Sequence, residues 1–288
     1  MELREKIADI VRNKRTQIPT LPIVVQNVLN IANDDTTSAK DLADFICKDQ
    51  AISHKVLRLA NSAYYGSVKE VASIQRAITV IGFNEVVSLA IGMGVFSSFG
   101  KMDTHEIFSM RDLWLHSIGC AAAAKELAKR LSFPSSNQAF MSGLLHDMGK
   151  IIFAVYFPEE YGRAIKSSHE NQSPLFREET ATFGLDHAAL SGLLMERWHF
   201  PEELLVPSGF HHRSLKCRTD YRHHAAIVQV ADALCHRAEI GCSGNPVVPD
   251  VSEISRFLSL TKSSEEDIIA DLKEQRPKIE AFFVSINQ

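Results

Sequence analysis

No apolar run in this chain reaches the roughly 18 residues that a membrane span requires. The longest, around Val86 to Phe99, is interrupted by Gly92, Gly94 and serines. A basic excess is lacking too: 31 Lys and Arg stand against 35 Asp and Glu, a net charge of −4. That argues against a general nucleic-acid or membrane-surface binder. The five cysteines (Cys47, Cys120, Cys217, Cys235, Cys242) form no CxxC pair and are odd in number. They read as reduced thiols in a cytoplasmic protein. The opening MELREKIADI is charged and amphipathic, with no signal-peptide core. No stretch alternates apolar and polar residues long enough to argue for a sheet. Neither an internal repeat nor a low-complexity tract is present.

What remains is helix. The chain has 288 residues, 45% of them hydrophobic, enough for a large core in roughly one to two domains. Pro22 opens an apolar-periodic stretch from Leu21 to Ala32, as a first helical residue. Ser38 with Asp41 reads as a capping box for Ala39 to Lys48. Ile52 to Ala60 follows, then Ile74 to Ile81 between a Ser73 cap and a Gly82 stop, then Phe83 to Phe99. The turn-prone stretch SFGKMDT, Ser98 to Thr104, is the best boundary.

Beyond it, Ile107 to Arg130 reads as a long helix whose alanine run suits close approach by a neighbour. Gln138 to Tyr156 reads as one helix carrying HDMGK. Shorter helices are expected around Pro158 to Asn171, Phe176 to Phe183, His187 to Trp198 and Pro201 to Gly209. Ala225 to Ala238 carries Asp232, and GCSGNPVVP is a loop. Ser263 with Glu266 reads as a second capping box, opening a helix disturbed by Pro277.

Three stretches of the first half carry a family resemblance: IPTLPIVVQNVLNIAND, LADFICKDQAISHKVLRLANSAYYG and SIQRAITVIGFNEVVSLAIGM. WLHS, GLLHDMGK and VQVADAL continue it. Together they resemble the HDOD domain, a relative of the HD phosphohydrolases found in bacterial signalling proteins. The resemblance covers Ile18 to Arg237, and LANSAYYG with AITVIG is its most specific part. It implies an all-α fold, with an N-terminal helical subdomain packed on an HD-like helical subdomain. The divisions expected are 1–104 for the first, 105–240 for the second, and 241–288 for a C-terminal helical extension.

Seven residues fall in order on the metal-ligand pattern of the HD superfamily: His116, His146, Asp147, His187, His211, His212 and Asp232. Neutral imidazoles and carboxylates are good ligands for a divalent cation. Seven donors suffice for two ions, with Asp147 bridging them. His116, His146 and Asp232 would complete one site, and His187, His211 and His212 the other. Asp112, one turn before His116, is a further candidate. Five imidazoles and two carboxylates suit iron, with manganese or zinc as alternatives, over the oxygen-seeking Mg²⁺ and Ca²⁺. On a continuous helix His146 and Asp147 would be about 100° apart, and Lys150 would share nearly the face of His146. A lone helical histidine is more often packed or solvated than a ligand, so His54, His105, His169, His199, His223, His224 and His236 are read as structural or surface residues.

Many HDOD domains have lost these ligands, and the family is described as a non-catalytic signalling output. This chain keeps the set. Its catalytic cousins, the HD-GYP phosphodiesterases, carry an acidic residue and a glycine-tyrosine-proline element after the double histidine. Here His211-His212 is followed by RSLKCRTDY, which puts cyclic di-GMP recognition in doubt. Three functions therefore compete. The first is a bacterial signal-transduction module holding a metal site, with signalling proteins as partners. The second is a metal-dependent phosphohydrolase acting on a nucleotide or cyclic dinucleotide, with Lys150 and Arg213 meeting phosphate. The third is a helix-turn-helix regulator using Lys55 and Arg58, which the apolar Val56, Leu57 and Leu59 on the same helix oppose.

Overall fold

The structure is a computed structural model that describes residues 7, 18, 21–32, 37–62, 64–65, 70–99 and 109–287. His105, Gly66 and most of the 98–104 boundary lie outside them. Among the described residues there are fifteen α-helices and one 3₁₀ turn, with no strand. The all-α expectation holds. No described helix is long and apolar enough to cross a membrane. Two compact units divide the chain: Pro19–Lys101 with Gln275–Gln288, and Met1–Ile18 with Met102–Glu274.

The smaller unit contains α1 (Ile23–Ala32), α2 (Ala39–Ile46), α3 (Gln50–Ala60), α4 (Ile74–Ile81) and α5 (Phe83–Phe99). Its local signals are strong. Ser38 accepts from the Asp41 N–H, and the Asp41 carboxylate accepts from the Ser38 N–H at 3.0 Å, completing the capping box. Ser73 caps α4, and Gly82 ends it at a φ of 99°. Pro22 sits one residue before α1 and accepts the Val25 N–H, so it precedes the helix instead of opening it. Helix α5 buries residues around its whole circumference and is the core of this unit. Here Tyr64 and Tyr65 pack edge to face, and Tyr64 also meets Phe282. The Tyr65 hydroxyl donates to the buried Glu85 at 2.7 Å. The two tyrosines thus fill space within their own unit. On α3, Val56 and Leu59 are buried, so that helix turns its apolar side inward.

The larger unit is built from α6 (Met110–Arg130), α7 (Ser136–Leu145), α8 (Met148–Tyr156), α9 (Pro158–Asn171), α10 (Leu175–Phe183), α11 (His187–Arg197), α12 (Glu202–Gly209), α13 (Thr219–Arg237) and α14 (Ser252–Phe257). A last helix, α15 (Lys262–Asn287), begins in this unit and ends in the smaller one. Helices α6, α7 and α13 pack against one another. The alanine run of α6 is buried, and a Cβ added to Gly143 of α7 would stand 2.8 Å from the Cys120 carbonyl oxygen and 2.9 Å from Ala121 Cα. Backbone faces backbone there, with no room for a side chain.

Two expectations for this unit need correction. The helix expected from Gln138 to Tyr156 is two helices, parted by a turn at His146 and Asp147. Its cause is a long-range hydroxyl, described below. The cap of α15 is Thr261, not Ser263: the Ser264 N–H donates to Thr261 Oγ1 at 3.1 Å. Proline 277 is tolerated inside that helix.

Gly143→Ala is expected to destabilise the larger unit by about 1–3 kcal/mol, because the clash is with backbone that has no rotamer to yield. Chemical denaturation followed by circular dichroism measures it, and an unchanged midpoint would contradict this packing.

Candidate metal centre

The turn between α7 and α8 puts two neighbouring residues to work. Ser191, on α11, donates its hydroxyl to the His146 carbonyl at 2.7 Å and accepts the Gly149 N–H at 2.8 Å. The side chain thereby takes over two backbone groups that an unbroken helix would pair internally. Asp147, at φ −96° and ψ 7°, is freed from helical azimuth. Gly149 lies so close to α11 that an added Cβ would stand 2.2 Å from the His187 carbonyl oxygen. Only glycine admits that approach, which accounts for the glycine in HDMGK.

The other donors come from four elements. His116 sits on α6 and Asp232 on α13. His187 is the first residue of α11, whose N-cap Asp186 accepts the Ala189 N–H at 2.7 Å. His211 and His212 occupy the turn after α12. All seven predicted donors converge. His116 Nε2 is 3.0 Å from Asp232 Oδ1, and His146 Nε2 is 3.9 Å from the same oxygen. The two oxygens of Asp147 face different sets. Oδ2 lies 3.5 Å from His146 Nε2 and 3.8 Å from His116 Nε2. Oδ1 lies 3.1 Å from His187 Nε2 and 4.0 Å from His211 Nε2. His187 and His212 meet Nε2 to Nε2 at 2.8 Å.

Three of the five rings are steered by their other nitrogen. His146 Nδ1 pairs with the Gly143 carbonyl and His211 Nδ1 with the Ser208 carbonyl, both at 2.7 Å. His187 Nδ1 pairs with Glu179 Oε2 at 2.5 Å, and the His187 N–H donates to the same oxygen at 2.8 Å. These are the outer partners that orient imidazole ligands. The inward Nε2 atoms of His146 and His211 are buried without a hydrogen-bond partner. Buried polar groups are rarely left so, and bound cations would satisfy them. The donor set therefore fits a metal.

Charge is organised around Asp147. Burial works against its anion, but His146, Lys150 and His187 hold its carboxyl well below the usual carboxylate range. Lys150 is itself buried, and its ammonium donates to Asp147 Oδ2 at 2.7 Å. Burial and the neighbouring His146 and His187 push His211 well down, as burial, His211 and His187 do for His212. His187 goes the other way: burial opposes its charge, but Glu179 and Asp147 raise it to about 9.

Other candidates stand apart. Asp112 pairs with Arg111 at the surface, 3.6 Å away, and joins no donor group. Arg213 bonds Asp186 at 3.3 Å and lines, with Phe176, Arg177, Lys216 and His212, a cavity of about 580 Å³. The Phe176 ring stacks on His212 with 4.5 Å between centroids. His223 and His224 pack on Phe257 and Phe133, away from the cluster. Sequence reasoning missed Glu179, Ser191 and Cys120. The Cys120 sulfur lies 3.3 Å from His116 Nε2.

Two outcomes follow. A cation at His187 Nε2 must displace the proton there. Its affinity for the His187, His211 and His212 trio should fall about tenfold per pH unit below about 9. Calorimetry in buffers of different ionisation enthalpy reads that proton release. In the metal-free protein the same charged ring stabilises the fold fully below 6.5, and that contribution is lost as pH rises through about 9. Separately, Glu179→Gln should weaken metal binding by about 10–100-fold. Equal affinity in wild type and variant would remove Glu179 from the site.

A family model of the HDOD domain matches residues 18–214. An HDOD domain protein of unknown function from Geobacter sulfurreducens superposes with a TM-score of 0.81 at 24% identity, covering 98% of each chain. A Shewanella amazonensis protein described provisionally as a phosphohydrolase gives 0.77 at 21% identity, covering 99% of this chain and 97% of the other. A Marinobacter aquaeolei protein described provisionally as a signal transduction protein gives 0.81 at 19% identity, covering 99% and 66%. The chain spans less than half the length of the curated relatives it matches. With the family model matched over more than half of its residues, the chain belongs to the HDOD domain family.

Proposed function

We propose that this chain is a cytoplasmic signal-transduction module that has kept an HD-type metal centre, and that it acts through signalling protein partners. One observation carries the choice of module over enzyme. Six of the seven donors are buried, each 8% exposed or less, and only His212 is part-exposed. A hydrolytic metal needs an open position for water and phosphate. Lys150 adds to the case: its ammonium is spent on Asp147 and is as buried as its partner. The absent glycine-tyrosine-proline element points the same way.

The full centre in this reading is dinuclear. His116, His146 and Asp232 hold one ion, His187, His211 and His212 the other, and Asp147 lies between them with one oxygen toward each group. Iron fits the donors best, with manganese or zinc as alternatives. Ions held there would cross-link α6, the α7–α8 turn, α11, the turn after α12 and α13, so binding free energy would become folding free energy.

A second reading, a metal-dependent phosphohydrolase of a nucleotide or cyclic dinucleotide, is favoured by the cavity at His212. Arg213, Arg177 and Lys216 line it and can receive phosphate oxygens. In that reading a bound ion supplies Lewis acidity, Arg213 orients the phosphate, and Lys150 holds Asp147 in its charged form.

Elemental analysis of anaerobically purified protein, paired with turnover assays on cyclic di-GMP and a nucleotide panel, separates the two. Metal without turnover is expected. Asp147→Asn should then lower the melting temperature, because donors on four elements lose their shared anion. Metal-dependent hydrolysis by the wild type, abolished in Asp147→Asn at unchanged fold, would overturn the module reading.

A further inference from the structure

We propose that Cys120 is a metal ligand: its sulfur joins His116, His146 and Asp232 around one ion in a mixed nitrogen, oxygen and sulfur shell. The proposal deepens the metal-centre reading above and rests on it.

The geometry begins on α6. Cys120 stands four residues after His116, so the two side chains lie one above the other on a single helix face. Both are buried. Cys120 Sγ is 3.3 Å from His116 Nε2, which is 3.0 Å from Asp232 Oδ1, which is 3.9 Å from His146 Nε2. All four donor atoms lie within 4.8 Å of one another. Bonds of about 2.0–2.3 Å directed to the corners of a tetrahedron give donor–donor edges of about 3.3–3.6 Å. The three separations of 3.0, 3.3 and 3.9 Å bracket those edges.

A second observation aims at the same point. His146 Nε2 is buried and has no hydrogen-bond partner, while its Nδ1 is committed to the Gly143 carbonyl. Its lone pair is thereby directed into the space that Cys120 borders. Asp147 does not belong to this group of four. Its nearer oxygen, Oδ2, faces the group but accepts from Lys150 at 2.7 Å, so sulfur can take the fourth ligand position. Cys235 is the natural rival, since it too lies beside His116. Its sulfur also meets the His116 ring and the Cys120 thiol, and lies 3.5 Å from His116 O and 3.6 Å from Ile240 O, but it is not one of the four donors that lie within 4.8 Å of one another.

The chemistry is ligand exchange with no redox step. The Cys120 S–H bond breaks, the sulfur–metal bond forms, and the proton passes to solvent or buffer. Thiolate and carboxylate together neutralise the dication. A soft donor narrows the metal to zinc or iron over manganese, and four protein ligands close the shell as in structural sites.

Cobalt(II) titration of the metal-stripped full chain, under reducing and anaerobic conditions, tests this. The wild type should bind cobalt and show a near-ultraviolet thiolate-to-cobalt charge-transfer band. Cys120→Ser should lose that band, and Cys235→Ser should keep it. Cobalt bound by the wild type without the band, or a band that survives in Cys120→Ser, would overturn the proposal. Failure of the wild type to bind any cobalt would overturn the metal-centre reading itself. X-ray absorption of the zinc-loaded wild type decides the point without a variant: a sulfur neighbour at about 2.3 Å supports it, and a shell of nitrogen and oxygen alone refutes it.

Discussion

The Ser191 hydroxyl is the contact on which the site depends. By accepting from the Gly149 N–H and donating to the His146 carbonyl, it holds open the turn between α7 and α8. Without it the chain would continue as one helix, and His146 and Asp147 would diverge around its axis. With it, the two side chains enter the same space from one corner. The same pair of bonds draws α8 onto α11, which brings His187 beside Asp147 and leaves no room for a side chain at Gly149.

The resulting cluster is costly to bury. Two aspartates, one lysine and four histidines lie in a region from which water is excluded. Paired charges offset part of that cost: Lys150 with Asp147, His116 with Asp232, and His187 with Glu179. The unpartnered Nε2 atoms of His146 and His211 do not share in those pairings. Two apolar side chains would fill the same volume without desolvating polar atoms, so packing alone does not account for the pair.

What could be read from the sequence follows the range of the interactions involved. The Ser38 and Ser73 caps, the Gly82 stop and the limits of α9 are set by partners within a few residues, and the sequence displays them directly. The seven donors were legible through family motifs, not through periodicity. The break at His146 was not, because Ser191 is 45 positions away and has no local signature. Glu179 and Cys120 escaped for a related reason. One buried carboxylate on an amphipathic helix looks like any other acidic residue, and a cysteine in an alanine run looks like filler. Thr261 and Ser263 both precede an acidic residue three or more positions on, and only the backbone decides between them.

Helix α10 carries one further consequence. Across nine residues it presents Phe176, stacked on His212, and Glu179, bonded to His187. Phe176 also forms part of the cavity wall. The two imidazoles, from distant parts of the chain, therefore share a single mechanical support. A shift of α10 would reach both the mouth of the cavity and the interior of the cluster.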